Sequence, residues 1–538
     1  MTNRPLTWAQ ALDSICDSTT LIILSIGAGL LLTWRLWRFS ILPRLYPDEP
    51  KEAPYWIPCH AIPLALDFNG SLARIIERFG GSKRPFAIVA GGIKIYIITD
   101  PKHVAETYRN EAVLSNEVIV RGIHAGVGMS PKGVDKLFTV DESASFNQQQ
   151  PRPLPPIGMM VDTLRHHLAP GIMLDGFLDQ NTLPLVRRAF DFEREVPHPA
   201  LLGEKNGLKA ISLEELCIEA LITNVLEVFY GPAIWKLKPD FVHWFMLWER
   251  VNWKFLFNLP GILSQDMLAA KAEMTDMFEM YFSLPRSERP GAAPWMVALE
   301  DNMRESNLGT EELARVLTLQ TWAIVGNMYK SAFWLIAHLV YNPSDLETIR
   351  TEVLPAIQGD QIDHHHLTKN CPILDSLMSE ILRVTTSTPI VRDVMKDICI
   401  GGTTLRKGNK MLISYRQLHL NPESWGPNSE AIQADRFQQN KSLKSSLSFR
   451  PFGGGSTLCP GRFYARGAIY PVVALLLSRY DIRIGDLDRE LGAIENKQRG
   501  PKKASFPRPD YSKPIPGVVS PAEGEDIRMV LSPRNMGQ

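Results

Sequence analysis

The stretch FRPFGGGSTLCPGRFYA, from Phe449 to Ala465, constrains this chain more than any other. Three consecutive glycines are incompatible with the interior of a regular element and call for a loop. The apolar run Ala468 to Leu477 that follows reads as a helix. Cys459 therefore sits just ahead of a helix N-terminus, behind glycines that let backbone N–H groups approach its sulfur, and partly shielded from water. Those three devices stabilise a thiolate. The other five cysteines, Cys16, Cys59, Cys217, Cys371 and Cys399, are scattered and lack such surroundings, and no C-x-x-C pair occurs. Neither a disulfide framework nor a zinc or dithiol centre is predicted. The bland alternative for Cys459 is a buried structural thiol.

The chain is 538 residues long, enough for a large core, and its 45% hydrophobic and 22% charged composition is ordinary. Lys+Arg and Asp+Glu balance at 58 each, so no nucleic-acid partner is predicted. From Ser18 to Trp34 no residue is charged, and Arg35, Arg38 and Arg44 follow at once. That stretch suffices to cross a bilayer, and the trailing arginines put the rest of the chain on the cytoplasmic side, with Trp34 and Trp37 at the interface. A cleaved signal peptide would carry its charges ahead of the apolar run. Pro43, Pro47, Pro50, Pro54 and Pro58 then predict a stiff, extended hinge. The resulting division is an anchor over 1–40, a hinge over 41–60 and a catalytic body over 61–538.

Within the body, Phe86 to Ala90 and Lys94 to Ile98 read as two strands around the Gly91-Gly92 turn, and a helix begins at Asp100-Pro101. Residues 142–158 are polar and proline-rich and predict an exposed loop. From about Leu213 to Val340 the apolar spacing is helical, and short runs between Ile390 and Ile413 predict a small sheet. The body is thus mainly α with small β-sheets and without internal repeats.

The pattern F-x-x-G-x-x-x-C-x-G, carried by Phe452, Gly455, Cys459 and Gly461, resembles the signature of the cytochrome P-450 superfamily. Upstream, Glu380-Ile-Leu-Arg383 places a carboxylate and a guanidinium on one helical face, and Ala434-Asp435-Arg436-Phe437 resembles the family's P-E-R-F segment. The resemblance implies a single large domain enclosing heme b between a long distal helix and the Cys loop. It implies that Cys459 is the axial ligand of the iron, that Phe452 shields the sulfur, that Gly455 permits the sharp turn and that Gly461 gives close backbone approach. Arg392 pairs with a heme propionate in this reading, and Glu380, Arg383 and Arg436 form a structural ion network. Without the resemblance, Glu380 and Arg383 read as an exposed pair worth little.

The distal helix is predicted from about Glu311 to Tyr341, roughly 45 Å at 1.5 Å per residue. Its centre departs from the family's usual acid-threonine pair and reads Trp322-Ala-Ile-Val-Gly326-Asn327-Met-Tyr-Lys330. That segment is similar to the branch holding prostacyclin synthase and the sterol hydroxylases of bile-acid synthesis. Asn327 is carried over as a distal-pocket residue, against the alternative of a helix-to-backbone contact, and Gly326 as the close-approach position. Lys330 reads as an ammonium snorkelling outward and Pro471 as a kink. Arg165-His166-His167 is placed on the helix that meets a propionate. His364-His365-His366 is not read as a metal site, because adjacent histidines do not share one helix face.

Three functions are carried forward. The first is a monooxygenase that inserts one oxygen atom from O2 into a hydrophobic small molecule of the terpenoid, sterol, polyketide or fatty-acyl class. No flavin or nicotinamide module is visible, so electrons come from a separate NADPH-cytochrome P-450 reductase, with cytochrome b5 as a second partner. Lys441, Lys444, Arg450 and Arg462 around the Cys loop suit an acidic partner. The implied address is the endoplasmic reticulum membrane, single-pass, with the body on the cytoplasmic face. The second is an isomerase or dehydratase that rearranges a peroxide without O2 or reductase. The third is a non-catalytic heme- or lipid-binding protein. Residues 116–133 and the turn Pro516-Gly517-Val518-Val519 are expected to line the pocket.

Overall fold

A computed structural model describes residues 18–56, 59–79, 83–140, 154–485, 505–514 and 516–534. The first 17 residues of the predicted anchor segment, Pro58 of the hinge and most of the polar 142–158 loop lie outside them. The end of that loop is not a loop: a helix, Pro156–His167, starts at Pro156, whose fixed φ and missing N–H suit a first helical turn.

At the N-terminus the helix Ser18–Leu36 continues through a π-turn, Trp37–Ile41, into Leu42–Leu45. Its apolar side chains are exposed, Leu30 at 67%, which fits a single-pass membrane anchor. The helix therefore runs past the predicted hinge boundary at 40. Pro43 does not stop it: just ahead of Pro43 the helix widens to a π-turn, in which the Leu42 N–H reaches the Trp37 carbonyl, and the chain stays helical through it. The arginines beyond the apolar run bind the body: Arg38 makes a bidentate pair with Glu52 (3.0 and 3.0 Å), and Arg35 lies 4.3 Å above the Trp56 ring.

The body is mainly helical with small sheets. The largest sheet takes its strands in the order Lys51–Glu52, Phe86–Ala90, Ile93–Ile98, Lys410–Ser414, Pro389–Val394 and Leu114–Ser115. A second pairs Tyr480–Ile484, Arg528–Pro533, Leu208–Ser212 and Leu201–Lys205. Leu216, Ala220, Leu221, Val225 and Val228, predicted to share a helical face, are all buried in the main core. The centre of the molecule is the helix Arg462–Arg479, buried without interruption from Gly467 to Ser478; Pro471 lies within it without ending it. A helix apolar all round belongs in the middle of a layered core.

The distal helix is not continuous. It is divided into Thr310–Val325 and Met328–Tyr341, with Gly326 and Asn327 (φ −112°, ψ −25°) at the break. Two lateral interactions compete for the break. The Asn327 carboxamide oxygen accepts the Val518 N–H at 2.9 Å, and on another side Glu249, from the helix Phe241–Leu256, fills the space beside Gly326. Glu249 accepts the Trp322 indole N–H at 2.9 Å and pairs with Lys330. Lys330 therefore does not snorkel outward: its side chain is 2% exposed and that of Glu249 is 5%. A buried ammonium needs a buried counter-charge, and Glu249 supplies it.

Glu380 and Arg383, on the helix Pro372–Thr385, are both fully buried rather than a surface pair. Arg383 binds both Glu380 oxygens (2.8 and 2.6 Å), and Arg436 adds a bond at 2.9 Å. The remaining Arg383 donors reach the carbonyls of His419 (2.7 Å), Ser429 (2.5 Å) and Ala431 (3.2 Å). Burial, then the Arg383 charge, pushes the His419 imidazole down to about 3, and its Nε2 accepts the Arg450 N–H at 2.9 Å.

Glu380→Gln keeps the shape but strands two buried guanidinium groups, and is expected to lower the unfolding free energy by about 3–5 kcal/mol, read from the thermal midpoint. His419 gives a pH dependence. The unfolded imidazole takes up a proton near pH 6.5 that the folded one refuses until about 3. Stability should therefore fall as pH drops through that window, and His419→Gln should flatten the slope in unfolding curves measured across it.

Candidate active site

The Cys loop is closed by its own backbone. The Cys459 N–H donates to the Phe452 carbonyl at 2.9 Å, and Gly455 turns the chain at φ +59°. A Cβ at Gly455 would land 2.1 Å from a carboxylate oxygen of Glu111, so both conformation and space require glycine there. The backbone N–H groups of Gly461 and Arg462, at the start of the helix Arg462–Arg479, favour the charged form of the Cys459 sulfur. Burial nevertheless pushes the thiol up, against the pull of those amides and of the Arg462 charge. A buried sulfur with amide donors already aimed at it is suited to become a thiolate once a metal cation supplies the missing positive charge. Gly461 is less demanding than its neighbour: a Cβ there would meet the sulfur at 3.9 Å, an ordinary contact.

Above Cys459 lies an apolar cavity of about 320 Å³. Phe452, Cys459, Gly461 and Tyr464 line its floor, and Gln320, Ala323 and Asn327 of the distal segments face them. Pro516, Gly517 and Val518 close one side, held by the Ser387 N–H on the Gly517 carbonyl (2.9 Å) and the Val519 N–H on the Thr385 carbonyl (3.0 Å). The predicted turn thus reaches the cavity. No residue of 116–133 lines it; that segment forms the helices Glu117–Val127 and, from Pro131, Pro131–Phe138. Gly326 faces Glu249 at the helix break instead of the cavity.

Arg392 does not itself line the cavity; buried behind Tyr415, which does, it donates to the Leu114 carbonyl (2.9 Å) and to Glu111 (3.1 Å), while its Nε–H has no partner. Its guanidinium lies 5.1 Å from the Tyr108 ring, and the Tyr108 and Tyr415 hydroxyls are hydrogen-bonded to each other. Arg165 donates to the Ser456 carbonyl of the Cys loop, and the Ser456 N–H meets both Glu111 oxygens (3.2 and 3.1 Å). An unused, desolvated guanidinium donor fits a carboxylate. With a sulfur donor in the floor and apolar walls above it, these residues fit heme, a flat apolar ring with acidic substituents.

Sequence reasoning missed Glu111, Tyr108 and Tyr415 at the rim, Gln320 in the ceiling, and Glu249 behind the break. None belongs to a local motif. Only the polar Lys330 inside an apolar helix signalled that a buried partner had to exist.

The chain was then compared with known proteins. The sequence profile of the family described as cytochrome P-450 matches residues 232–506. The cytochrome P-450 monooxygenase poxD of Penicillium oxalicum is 23% identical over 494 residues, covering 88% of this chain and 95% of that protein. Human prostacyclin synthase is 27% identical over 407 residues, covering 63% of this chain and 80% of its own. Human 7-alpha-hydroxycholest-4-en-3-one 12-alpha-hydroxylase is 22% identical over 248 residues, 42% of this chain and 49% of its own. The profile spans Asn327 and Cys459, which line the cavity, and Glu380, Arg383, Arg392 and Arg436, which lie outside it, and the chain belongs to the cytochrome P-450 family of heme-thiolate enzymes.

Proposed function

We propose that this chain is a membrane-anchored monooxygenase that inserts one atom of O2 into a hydrophobic small molecule, with electrons delivered by a separate NADPH-dependent reductase. The observation that carries this reading is that Cys459 and Asn327, far apart in the chain, line one apolar cavity. Cys459 is the iron ligand in this reading, and Arg392, with its free Nε–H, holds a propionate. A heme iron bound by thiolate supplies the electron density that favours O–O cleavage. The protein does the rest. Phe452 and the apolar walls keep water from the sulfur, and the Gly461 and Arg462 amides stabilise its charge. Asn327 spends its oxygen on the Val518 N–H, which fixes the amide orientation and leaves its NH2 as a donor toward the cavity.

The substrate class is terpenoid, sterol, polyketide or fatty-acyl, in keeping with apolar walls and an anchor that keeps the body beside lipid. The division into an anchor over 1–40, a hinge over 41–60 and a body over 61–538 belongs to the same reading, with the cytoplasmic face of the endoplasmic reticulum as its address; the exposed apolar N-terminal helix, which runs on to Leu45, supports the anchor. Lys441, Arg450 and Arg462 border the Cys loop as a landing surface for an acidic reductase or cytochrome b5; Lys444 is partly committed, being paired with Asp375.

A second reading, rearrangement of a peroxide without O2 or electrons, is favoured by one observation: a neutral donor, Asn327, in place of an acid-threonine pair. Supplying candidate substrates with and without reductase, NADPH and O2 separates the two. Product that needs all three supports the monooxygenase, and undiminished turnover of a hydroperoxide with none of them overturns it. Cys459→Ser is expected to abolish the thiolate signature in the spectrum of the reduced carbon monoxide complex, together with all product, while circular dichroism stays unchanged. Asn327→Asp keeps the acceptor for Val518 and deletes the donor; turnover should fall about 10²-fold with substrate binding, read by heme titration, nearly intact.

A further inference from the structure

On the flank of the thiolate helix, Asp175 and Asp179 meet two of the three consecutive histidines. The helix His364–Lys369 is capped by the Asp363 side chain on the His366 N–H. His366 turns away and meets the Glu352 carbonyl at 2.9 Å. His364 and His365 converge instead: their rings lie 4.1 Å apart and tilted by 33°, and both Nε2 atoms approach Asp175, at 3.4 and 3.8 Å. On the far side of the His364 ring, Nδ1 lies 2.9 Å from Asp179.

We propose that Asp175, His364 and His365 bind one divalent transition-metal ion of the zinc class, with Asp179 orienting His364. The simpler account is a His364 imidazolium clamped by two aspartates. Against it, the Asp179 contact is a hydrogen bond of ordinary length at 2.9 Å, whereas Asp175 meets His364 in a long one at 3.4 Å and lies 3.8 Å from a second imidazole nitrogen, that of His365. Those distances approach the roughly 3.3 Å edge of a tetrahedron with metal–ligand bonds of about 2.0–2.1 Å. All three ligand atoms lie within 4.8 Å of one another, so closure needs only a small swing of the half-exposed His365. The Asp179–His364 bond is the outer carboxylate that zinc-bound histidines use to fix tautomer and ring orientation. His364 is 3% exposed and cannot wander, whereas Asp175 and His365 leave a fourth position open to water.

The site bridges two elements that rest on the thiolate helix. Asp175 and Asp179 lie on Ile172–Phe177 and the π-turn Leu178–Thr182, and Leu178 packs where a Gly467 Cβ would be, 2.6 Å away. Leu367, from the histidine helix, is buried in the same core. An ion would therefore tie together the layer behind Cys459 without touching the cavity.

The test is equilibrium dialysis of the heme-loaded full chain against micromolar zinc, with elemental analysis and a heat-unfolding scan. One zinc per chain and a zinc-dependent rise in the unfolding midpoint are expected. His365→Ala, at a half-exposed position, and Asp175→Asn should each weaken binding at least tenfold and remove that rise, and Asp179→Asn should weaken it about 10–100-fold. Zinc uptake unchanged in both His365→Ala and Asp175→Asn, or no uptake by the wild type, overturns the proposal. Neither result depends on the oxygen chemistry.

Discussion

Glu380 carries a charge with no exposure to solvent, and two guanidinium groups make that burial tolerable. Arg383 then spreads its donors over three carbonyls from the segment 419–431, so one helix fixes a stretch of irregular backbone that has no ladder of its own. From there His419, kept neutral by its surroundings, accepts the Arg450 N–H and sets the entry to the Cys loop. The loop is closed at the other end by Cys459 on Phe452. A loop of glycines has a high conformational entropy to lose, and this chain of bonds removes most of that freedom before any ligand arrives. The position of the sulfur is thus a consequence of an ion network well outside the cavity.

The distal side is built by the opposite tactic, interruption. A straight helix past the cavity would satisfy every backbone group by itself and leave no reason for a side chain to lean inward. At Gly326 and Asn327 the regular pattern yields to two competing claims: the Val518 N–H on Asn327, and the buried Glu249 with Trp322 and Lys330. Gly326 is needed because a Cβ would meet the Trp322 carbonyl at 2.8 Å and Glu249 at 3.3 Å. The helix Phe241–Leu256 is thereby tied by the buried Glu249–Lys330 pair to the segment that carries Asn327 into the cavity lining.

What the sequence disclosed followed contiguity. The Cys loop, the Glu380–Arg383 spacing and the strands around Gly91-Gly92 are local patterns, and each keeps its meaning when read alone. Their partners are not local. Glu111 bonds Arg392 across 281 positions and Lys330 pairs with Glu249 across 81, and neither acid stands in a motif that names its partner. The break in the distal helix was unreadable for the same reason, since Gly326 alone is compatible with a helix and only Val518 and Glu249, from distant segments, tip the balance. The histidine run gives no hint of its partners either: on one helical turn adjacent side chains diverge, and only Asp175, from another element, draws the His364 and His365 rings together.

These two halves differ in what they leave open. On the sulfur side every donor has a fixed task, so substitution there removes function without redirecting it. On the distal side Asn327 offers a neutral donor that cannot itself release a proton at ordinary pH. If protons are delivered there they must come through water ordered by that amide, whereas a peroxide already carrying its oxygen–oxygen bond would need only the hydrogen bond. The same side chain is therefore compatible with either chemistry. The choice between them falls to what else the cavity admits: Gln320, Ser331 and the Pro516–Val518 edge are polar and backbone groups of the same lining that can hold a water or exclude it.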